Sequence, residues 1–318
     1  MTAGPAVLRA ISYELGELKS IRSLIPEGVP VETVDELLGR GVTGYSSFHG
    51  TLADAIAACT RETLGLAGLA SDDIDVVILA TESFFQLFDA RHSQNSEGFR
   101  EVRNASFDLF ASLGINSASL FCATYGGCTN LLQALMLARA MVGSGLSRNV
   151  LIVAAERFGS IKSRLMDEAI SIAGDGVATC IVNGDAAPGG FVLDHVGTAP
   201  YRKFQADADM ASRLLEMFRA MKNAAADCYD SCCRQPADFK WAILGDYNKL
   251  TTLTYAKLLG FPPERTFLDN VGKMGHIPFD PLISLRDLQE KNVLGPSESI
   301  LLFLCGPISC GSIALETV

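Results

Sequence analysis

The chain has no uninterrupted apolar stretch of the roughly 20 residues that a membrane-spanning helix requires. Residues 1–14 have neither the basic segment nor the continuous apolar stretch of a secretory signal. In such a chain, the nine cysteines favour free thiols in a reducing compartment. These absences predict a cytoplasmic protein that does not associate with membranes.

Positive charge is also scarce. The net charge at pH 7 is −10, because 26 Lys and Arg residues stand against 36 Asp and Glu residues. Nucleic-acid binding needs basic patches that neutralise phosphates, so this balance argues against a nucleic-acid partner. Docking of an acidic protein would need a local basic cluster. The residues that could supply one are Arg157, Lys162, Arg164, Arg202 and Lys203.

Apolar residues are plentiful, and they recur in a duplicated pattern. Since 48% of the 318 residues are hydrophobic, a large core is expected, in two domains or in one duplicated unit. Short strands and helices alternate in both halves. The predicted elements are a helix over 51–66, the strands Asp75–Thr81 and Val150–Ala155, a helix near Met210–Ala225, the strand Lys240–Gly245, a helix over Lys249–Leu259 and the strand Ile300–Leu304. This pattern predicts an α/β protein with an internal duplication.

Cys128 lies between a glycine turn and a long apolar helix. Gly126 and Gly127 permit backbone geometry that other residues resist. The run 129–142 has only Arg139 as a charged residue, which is typical of a buried helix. A cysteine at the N-terminus of such a helix experiences the partial positive charge of free N–H groups, which favours the thiolate. The alternative is an inert core cysteine, because free cysteine is among the most buried residue types.

Four segments follow one another in a characteristic order: Cys128–Gly145, Asn149–Glu156, Gly174–Ala178 and Cys305–Ser312. Together they resemble the β-ketoacyl-ACP synthase III family of the thiolase superfamily, and the resemblance spans nearly the whole chain. It implies a thiolase fold, which is a duplicated α/β architecture of five layers, α-β-α-β-α. The first half, 1–172, would contain the nucleophile. The second half, 173–318, would contain a His/Asp pair and a glycine-rich loop.

The resemblance also implies where the partners of Cys128 lie. In the family, a histidine and an asparagine join the cysteine. The histidine follows the strand that corresponds to 241–245, where this chain has Asp246. His276 falls on or beside the asparagine position, which leaves a Cys–His–Asp set. The other three histidines, His49, His92 and His195, are expected to be structural or exposed.

Two aspartates compete to orient His276. Asp246 follows a strand end, where residues that face a site occur, and this position favours it. Asp280 follows His276 by four residues and could reach it directly in a helix, or it could cap the helix that begins near Leu282. The resemblance further implies an oxyanion hole made by the N–H groups of Cys128 and Gly306. Gly306 could also be an ordinary tight turn between two strands.

A Cys–His–Asp set suits acyl transfer, because the histidine acts as a base and the aspartate fixes its tautomer. Decarboxylative condensation instead needs donors that stabilise an enolate. The family that this chain resembles includes acyltransferases in which the His and Asp are relocated. These enzymes form esters or amides in natural-product assembly.

We therefore expect an acyltransferase of specialised metabolism that takes an acyl group onto Cys128 from an acyl-CoA or an acyl carrier protein. It would pass this group to a small-molecule acceptor, forming an ester, an amide or a C–C bond, with no bound cofactor and no metal. One alternative is a decarboxylating β-ketoacyl-ACP synthase III, and another is a non-catalytic partner subunit of a ketosynthase heterodimer.

Three further expectations concern the surroundings of the site. Cys122 is a rival nucleophile, but it ends a strand and is expected to be structural. The segment Phe84–Arg100 is longer than the usual connection in the family and is expected near the mouth of the site or a dimer interface. The apolar strand Ala118–Phe121 predicts a homodimer.

Overall fold

A computed structural model describes residues 4–88, 96–166, 170–201 and 209–318. The strands are β1 (Val7–Leu15), β2 (Glu17–Ser20), β3 (Gly44–Ser47), β4 (Val76–Ala80), β5 (Ser119–Ala123), β6 (Asn149–Glu156), β7 (Gly176–Asn183), β8 (Phe191–Pro200), β9 (Phe239–Leu244), β10 (Ser299–Cys305) and β11 (Ser309–Thr317). The α-helices are α1 (Val31–Gly39), α2 (Ala53–Ala67), α3 (Ser96–Ser112), α4 (Asn130–Gly143), α5 (Ile161–Arg164), α6 (Met210–Cys232), α7 (Lys249–Leu258) and α8 (Asp280–Glu290). No helix within these described ranges is long and apolar enough to cross a membrane.

One mixed sheet contains two similar arrays of strands, in the overall order β5-β4-β6-β7-β1-β8-β11-β10-β9. In the first array β4 runs parallel to β6, and β6 runs antiparallel to β7. In the second array β9 runs parallel to β10, and β10 runs antiparallel to β11. The arrays meet where β1 pairs with β8 through Val7↔Val192 and Leu8↔Phe191. The described residues thus repeat one strand pattern, as the sequence predicts.

Helices cover the arrays in layers. The apolar helix α4 packs on strands of both arrays, including β6, β7, β8 and β11, and α8 packs on β1, β9 and β10. On the outer faces, α2 covers β1 and β7, whereas α6 covers β8 and β11. Strands such as β6, β7 and β10 are therefore buried on both faces, which explains their nearly continuous apolar sequences. The result is the five-layered order that the resemblance to the thiolase superfamily implies.

The boundary between the halves differs from the predicted one at residues 172 and 173. Strand β7, which follows the Gly174–Ala178 motif, pairs with β6 and β1 and so completes the first array. The chain passes to the second array only between Asn183 and Phe191. The motif therefore introduces the last strand of the first array and not the first strand of the second.

The structure bears on two expectations about surface segments. Helix α3 begins at Ser96, inside the predicted connection Phe84–Arg100, and residues 89–95 of that connection, with His92, lie outside the described ranges. Arg164 is buried and pairs with Asp175 at 2.7 Å, so it does not belong to a surface basic cluster. Two other members of that cluster, at positions 202 and 203, also lie outside the described ranges.

Candidate active site

Cys128 lies in a 3-10 turn, Gly127–Thr129, directly before α4. Gly127 has a φ of +60°, a conformation that side-chain-bearing residues rarely adopt. A Cβ at this position would collide with Glu82 Oε1 and Pro307 Cδ. Only glycine therefore fits directly before Cys128. Glu82, which follows β4 of the first array, and Pro307, which follows β10 of the second, both pack against the turn.

The turn is held by the first residues of α4. The Thr129 N–H and hydroxyl both donate to the Gly126 carbonyl, at 3.1 and 2.7 Å, and the Gly126 N–H donates to Asn130 Oδ1 at 2.7 Å. The N–H donors of the turn itself belong to Thr129 and Asn130. The turn thus does not use the Cys128 N–H, which can serve as a donor to a ligand.

His276 reaches the site from the second half of the chain. Its N–H donates to the Ile172 carbonyl at 2.7 Å, and its own carbonyl accepts the Gly174 N–H at 3.0 Å. Gly275 has a φ of +78°, and a Cβ there would lie 2.7 Å from the Ile172 carbonyl oxygen. The backbone around residues 275 and 276 therefore lies close against the backbone of residues 172–174, and these contacts orient His276. Only a glycine directly before His276 leaves room for so close an approach.

Cys128, His276 and Asp280 form a continuous line. His276 Nε2 lies 3.3 Å from Cys128 Sγ, and His276 Nδ1 lies 2.7 Å from Asp280 Oδ2. The side chains of His276 and Asp280 are 3% and 0% exposed. The Tyr247 ring packs on the imidazole at 4.5 Å between centroids, and its hydroxyl donates to the Cys305 carbonyl at 2.9 Å. Packing and hydrogen bonds thus hold the imidazole in one orientation.

The charges of Cys128, His276 and Asp280 affect the pKa values of the thiol and the imidazole. Burial alone would lower the pKa of His276, but the negative charges and hydrogen bonds of Asp280 and Cys128 raise it well above its ordinary value. Burial raises the pKa of the Cys128 thiol, and His276 opposes that rise through its charge and hydrogen bond. A thiolate at Cys128 therefore depends on a protonated His276 beside it.

Asp280, and not the favoured Asp246, contacts the imidazole. The Asp246 N–H donates to Asp280 Oδ2 at 2.8 Å, and the Ile277 N–H approaches the same oxygen at 3.3 Å. Asp246 is 1% exposed, and burial, followed by the charge of Asp280, raises its pKa well above the ordinary value. Asp246 thus supports Asp280 through its backbone. The structure differs from the prediction because the loop after His276 folds back on itself, which a strand-end position does not reveal.

Gly306 also differs from the prediction. Its N–H donates to the Ser309 carbonyl at 2.8 Å and closes the hairpin between β10 and β11. This group is therefore occupied and cannot donate to an oxyanion in this structure. Gly306 has the other role considered from the sequence, a turn between two strands.

Glu82 is a site residue that sequence analysis missed. Its N–H donates to Glu156 Oε1 at 2.6 Å, while the Ser83 N–H and hydroxyl donate to Glu156 Oε2 at 3.1 and 2.8 Å. Burial, then the charge of Glu82, raises the pKa of Glu156 to about 8. The signal was present in the sequence, since polar residues directly after a buried parallel strand commonly line a binding crevice.

The other cysteines do not join this line. Cys122 is an exposed residue of the edge strand β5. Cys228, Cys232 and Cys233 are free thiols on α6 or at its C-terminal end. Among the described residues, Cys128 is the thiol within hydrogen-bond distance of a histidine.

Comparison with known proteins identifies relatives of this chain. Residues 124–200 match the family of 3-oxoacyl-[acyl-carrier-protein (ACP)] synthase III. The β-ketoacyl-[acyl-carrier-protein] synthase III of Chlamydia caviae is 24% identical over 86% of this chain and 83% of its own length. The protein of the same name from Cereibacter sphaeroides is 32% identical, over 53% of this chain and 46% of its own length.

Solved structures show the same fold at lower identity. The acyltransferase ChlB3 has a TM-score of 0.78 at 17% identity and is matched over 99% of this chain and 98% of its own. The 3-oxoacyl-[acyl-carrier-protein] synthase III of Aquifex aeolicus has a TM-score of 0.75 at 17% identity, over 98% and 99% of the two chains. Xanthomonas campestris OleA has a TM-score of 0.76 at 14% identity, over 99% of both. The predicted thiolase fold is confirmed, and the chain is similar to proteins of the ketosynthase III family.

Proposed function

We propose that the protein is an acyltransferase that forms an acyl-Cys128 intermediate and passes the acyl group to a small-molecule acceptor in specialised metabolism. The donor is an acyl-CoA or an acyl carrier protein thioester, and the chemistry needs no resident cofactor or metal. The observation that carries the proposal is the line from Cys128 Sγ through His276 to Asp280, with separations of 3.3 and 2.7 Å. Such a line is the arrangement of an activated nucleophile, its base and the group that orients the base.

In the first half-reaction, Cys128 attacks the thioester carbonyl while His276 Nε2 holds the proton of the thiol. The developing oxyanion accepts a hydrogen bond from the Cys128 N–H, which the turn leaves unused. When the carbonyl reforms, the bond to the pantetheine sulfur breaks and His276 returns the proton to that sulfur. Cys128 is then acylated, and the imidazole is neutral.

In the second half-reaction, the acceptor attacks the acyl carbon of Cys128. His276 Nε2 takes the proton of the acceptor O–H or N–H, and the Asp280 carboxylate stabilises the imidazolium that forms. The bond to Cys128 Sγ then breaks. This regenerates a thiolate beside a protonated imidazole, as at the start of the cycle.

The second candidate function is that of a decarboxylating β-ketoacyl-ACP synthase III. The family match over residues 124–200 and the curated relatives favour it. Against it, the chain has the buried Asp246 where the family has its histidine. A third possibility, a non-catalytic subunit, conflicts with the retention of Cys128 next to a base.

Intact-mass measurement after mixing with acyl-CoA or acyl carrier protein tests the first step. We expect one acyl group per chain in the wild type and in Cys122→Ser, and none in Cys128→Ala. A label that persists in Cys128→Ala and maps to Cys122 would overturn the assignment, and the absence of any label would favour the non-catalytic subunit.

Product analysis with a malonyl thioester separates transfer from condensation. Transfer predicts that the product retains the whole acyl group and that no CO₂ is released. In either case His276→Ala should lower turnover by roughly 10²–10⁴-fold, the usual span of general base catalysis. Stoichiometric CO₂ with a new C–C bond would establish the synthase instead.

We extend the proposal to a cytoplasmic homodimer. Strand β5 is the edge of the nine-stranded sheet, and Phe121 on it is 39% exposed, as Tyr125 beyond it is 90% exposed. An exposed apolar edge of this kind favours pairing with a second copy. Sedimentation at micromolar protein concentration should show a dimer, and a stable monomer would contradict it.

A further inference from the structure

Glu82 is an acidic side chain at the site with no part in the steps above. It follows β4 by two residues, and its Oε1 lies against Gly127, next to the nucleophile. Glu82 is exposed, so a molecule that enters the site can reach its carboxylate. Among the described residues, that carboxylate has no hydrogen-bond partner. It is therefore an acceptor group that is free to bind a ligand.

The backbone of Glu82 is fixed although its carboxylate is free. Glu156 accepts the N–H groups of Glu82 and Ser83 and the Ser83 hydroxyl, and the Arg157 N–H in turn donates to Ser83 Oγ at 2.8 Å. The Ser83 N–H also lies 3.0 Å from Thr81 Oγ1. A side chain that projects from such a fixed backbone can position a ligand with precision, because its supporting groups do not have to reorganise.

Glu82 acts electrostatically on the same groups that carry the reaction. Partial burial raises its pKa, and the charge of His276 opposes this rise. Its own charge raises the pKa of Cys128 and of Glu156. Glu82 therefore shares one electrostatic environment with the nucleophile and the base.

We propose that Glu82 receives the acceptor by accepting a hydrogen bond from one N–H group of an attacking amine, and that it selects amines over acceptors that carry a carboxylate. This inference rests on the proposed acyl transfer and names its acceptor class. One N–H of the amine donates to Glu82 and another donates to His276 Nε2, which directs the lone pair toward the acyl carbon on Cys128. His276 takes the proton of the second N–H, the bond from acyl carbon to nitrogen forms, and the bond to Sγ breaks, while Glu82 only holds the acceptor.

The same charge works against a malonyl group. A free carboxylate near Cys128 would face the Glu82 carboxylate across a partly desolvated site, where like charges repel more strongly than in water. An amine brings no negative charge and supplies the donor that Glu82 lacks. The acid at this strand end thus explains why the site would use a heteroatom acceptor.

The test uses the intact protein, first acylated with acetyl-CoA and freed of excess donor. Hydroxylamine serves as the neutral nucleophile with an N–H to spare, ethanol as a neutral nucleophile with a single proton, and malonyl-CoA as the anionic acceptor. Glu82→Gln should still form the acyl-enzyme, but the acyl-enzyme should transfer to hydroxylamine roughly 10–100-fold more slowly, the range expected for loss of a hydrogen bond to a charged group, and the loss with ethanol should be smaller. Malonyl-CoA should inhibit this variant at a lower concentration than it inhibits the wild type.

Two further variants serve as controls. Glu82→Asp retains the charge and should recover part of the transfer rate, whereas Glu32→Gln, on an exposed position of α1, should behave as wild type. A Glu82→Gln protein that acylates and transfers as fast as wild type would overturn the inference and leave the proposed function intact. A wild-type protein that acylates, transfers to neither neutral nucleophile and releases CO₂ from malonyl-CoA would overturn both.

Discussion

The carboxyl ends of β4 and β9 present one feature in two different settings. After one intervening residue, each strand is followed by an acid, Glu82 in the first array and Asp246 in the second. Each acid donates its N–H to a second, buried carboxylate, Glu82 to Glu156 at 2.6 Å and Asp246 to Asp280 at 2.8 Å. The duplication thus places two acidic pairs at equivalent strand ends.

Solvent access distinguishes the two pairs. Glu82 is exposed, while Asp246 and Asp280 are 1% and 0% exposed. A buried carboxylate can act on a substrate only through a neighbour, here His276, whereas an exposed one can contact the substrate itself. Equivalent positions in a duplicated fold therefore carry different chemistry once one of them is covered.

The largest expected effect separates the two buried aspartates. Asp280→Asn removes the charge that stabilises the His276 imidazolium, and it should lower acyl transfer by roughly 10⁴-fold, as for loss of the orienting aspartate in a catalytic triad. Asp246→Asn keeps the N–H that bonds Asp280 and should cause a much smaller loss. Single-turnover transfer from acetyl-Cys128 measures both. Equal losses in the two variants would mean that the aspartates act as a unit.

The roles of Asp246 and Asp280 could not be told apart from the sequence alone. The order of motifs located Cys128 and His276, because a nucleophile before an apolar helix and a histidine in a glycine-bounded loop leave local traces. The choice between Asp246 and Asp280 depends on how the loop folds after His276. The role of Gly306 likewise depends on the fold, since its N–H donates to the Ser309 carbonyl in a hairpin hydrogen bond that no spacing reveals.

The fold was more accessible than the site. Runs such as 150–155 and 300–304 are apolar because both faces of the sheet are covered, and their strands were found within one or two residues. The predicted boundary at residues 172 and 173 comes before β7, whereas β7 pairs with β1, and such a pairing joins segments far apart in the chain. Glu82 was missed because its importance arises from its nearness to Gly127, a contact between separate strand ends.

An intermediate effect is expected at Glu156, the buried acid of the first pair. Its pKa in the folded state, about 8, lies above the roughly 4.3 of an unfolded glutamate. The folded protein therefore holds a proton that the unfolded chain has released, and stability falls as pH rises from about 4 to about 8. Glu156→Gln removes this dependence, so the stability of the variant relative to wild type should rise across that window, by at most about 5 kcal/mol. Denaturant unfolding at several pH values measures it, and a constant difference would contradict it.

The smallest expected effect concerns Tyr247, whose ring packs on His276 beside the second acidic pair, Asp246 and Asp280. The Tyr247 ring packs on His276, and its hydroxyl donates to the Cys305 carbonyl. Among the described residues, Glu82 in the first pair has no aromatic ring that covers it in this way. Tyr247→Phe should cost about 1 kcal/mol of unfolding free energy, the typical net value of one hydrogen bond. Thermal unfolding measures this change. Activity should persist, because the ring that holds the imidazole remains, and a large loss of transfer would instead give the hydroxyl a chemical role.

The separation of Cys128 and His276 along the chain has a consequence for the newly made protein. The two residues are 148 positions apart, so the first array leaves the ribosome with its cysteine long before its histidine is synthesised. Until then the thiol lacks the base that would hold its proton, and a thiol without such a base is a weaker nucleophile. We therefore expect the nascent chain to resist acylation by cellular thioesters until the second array folds against the first.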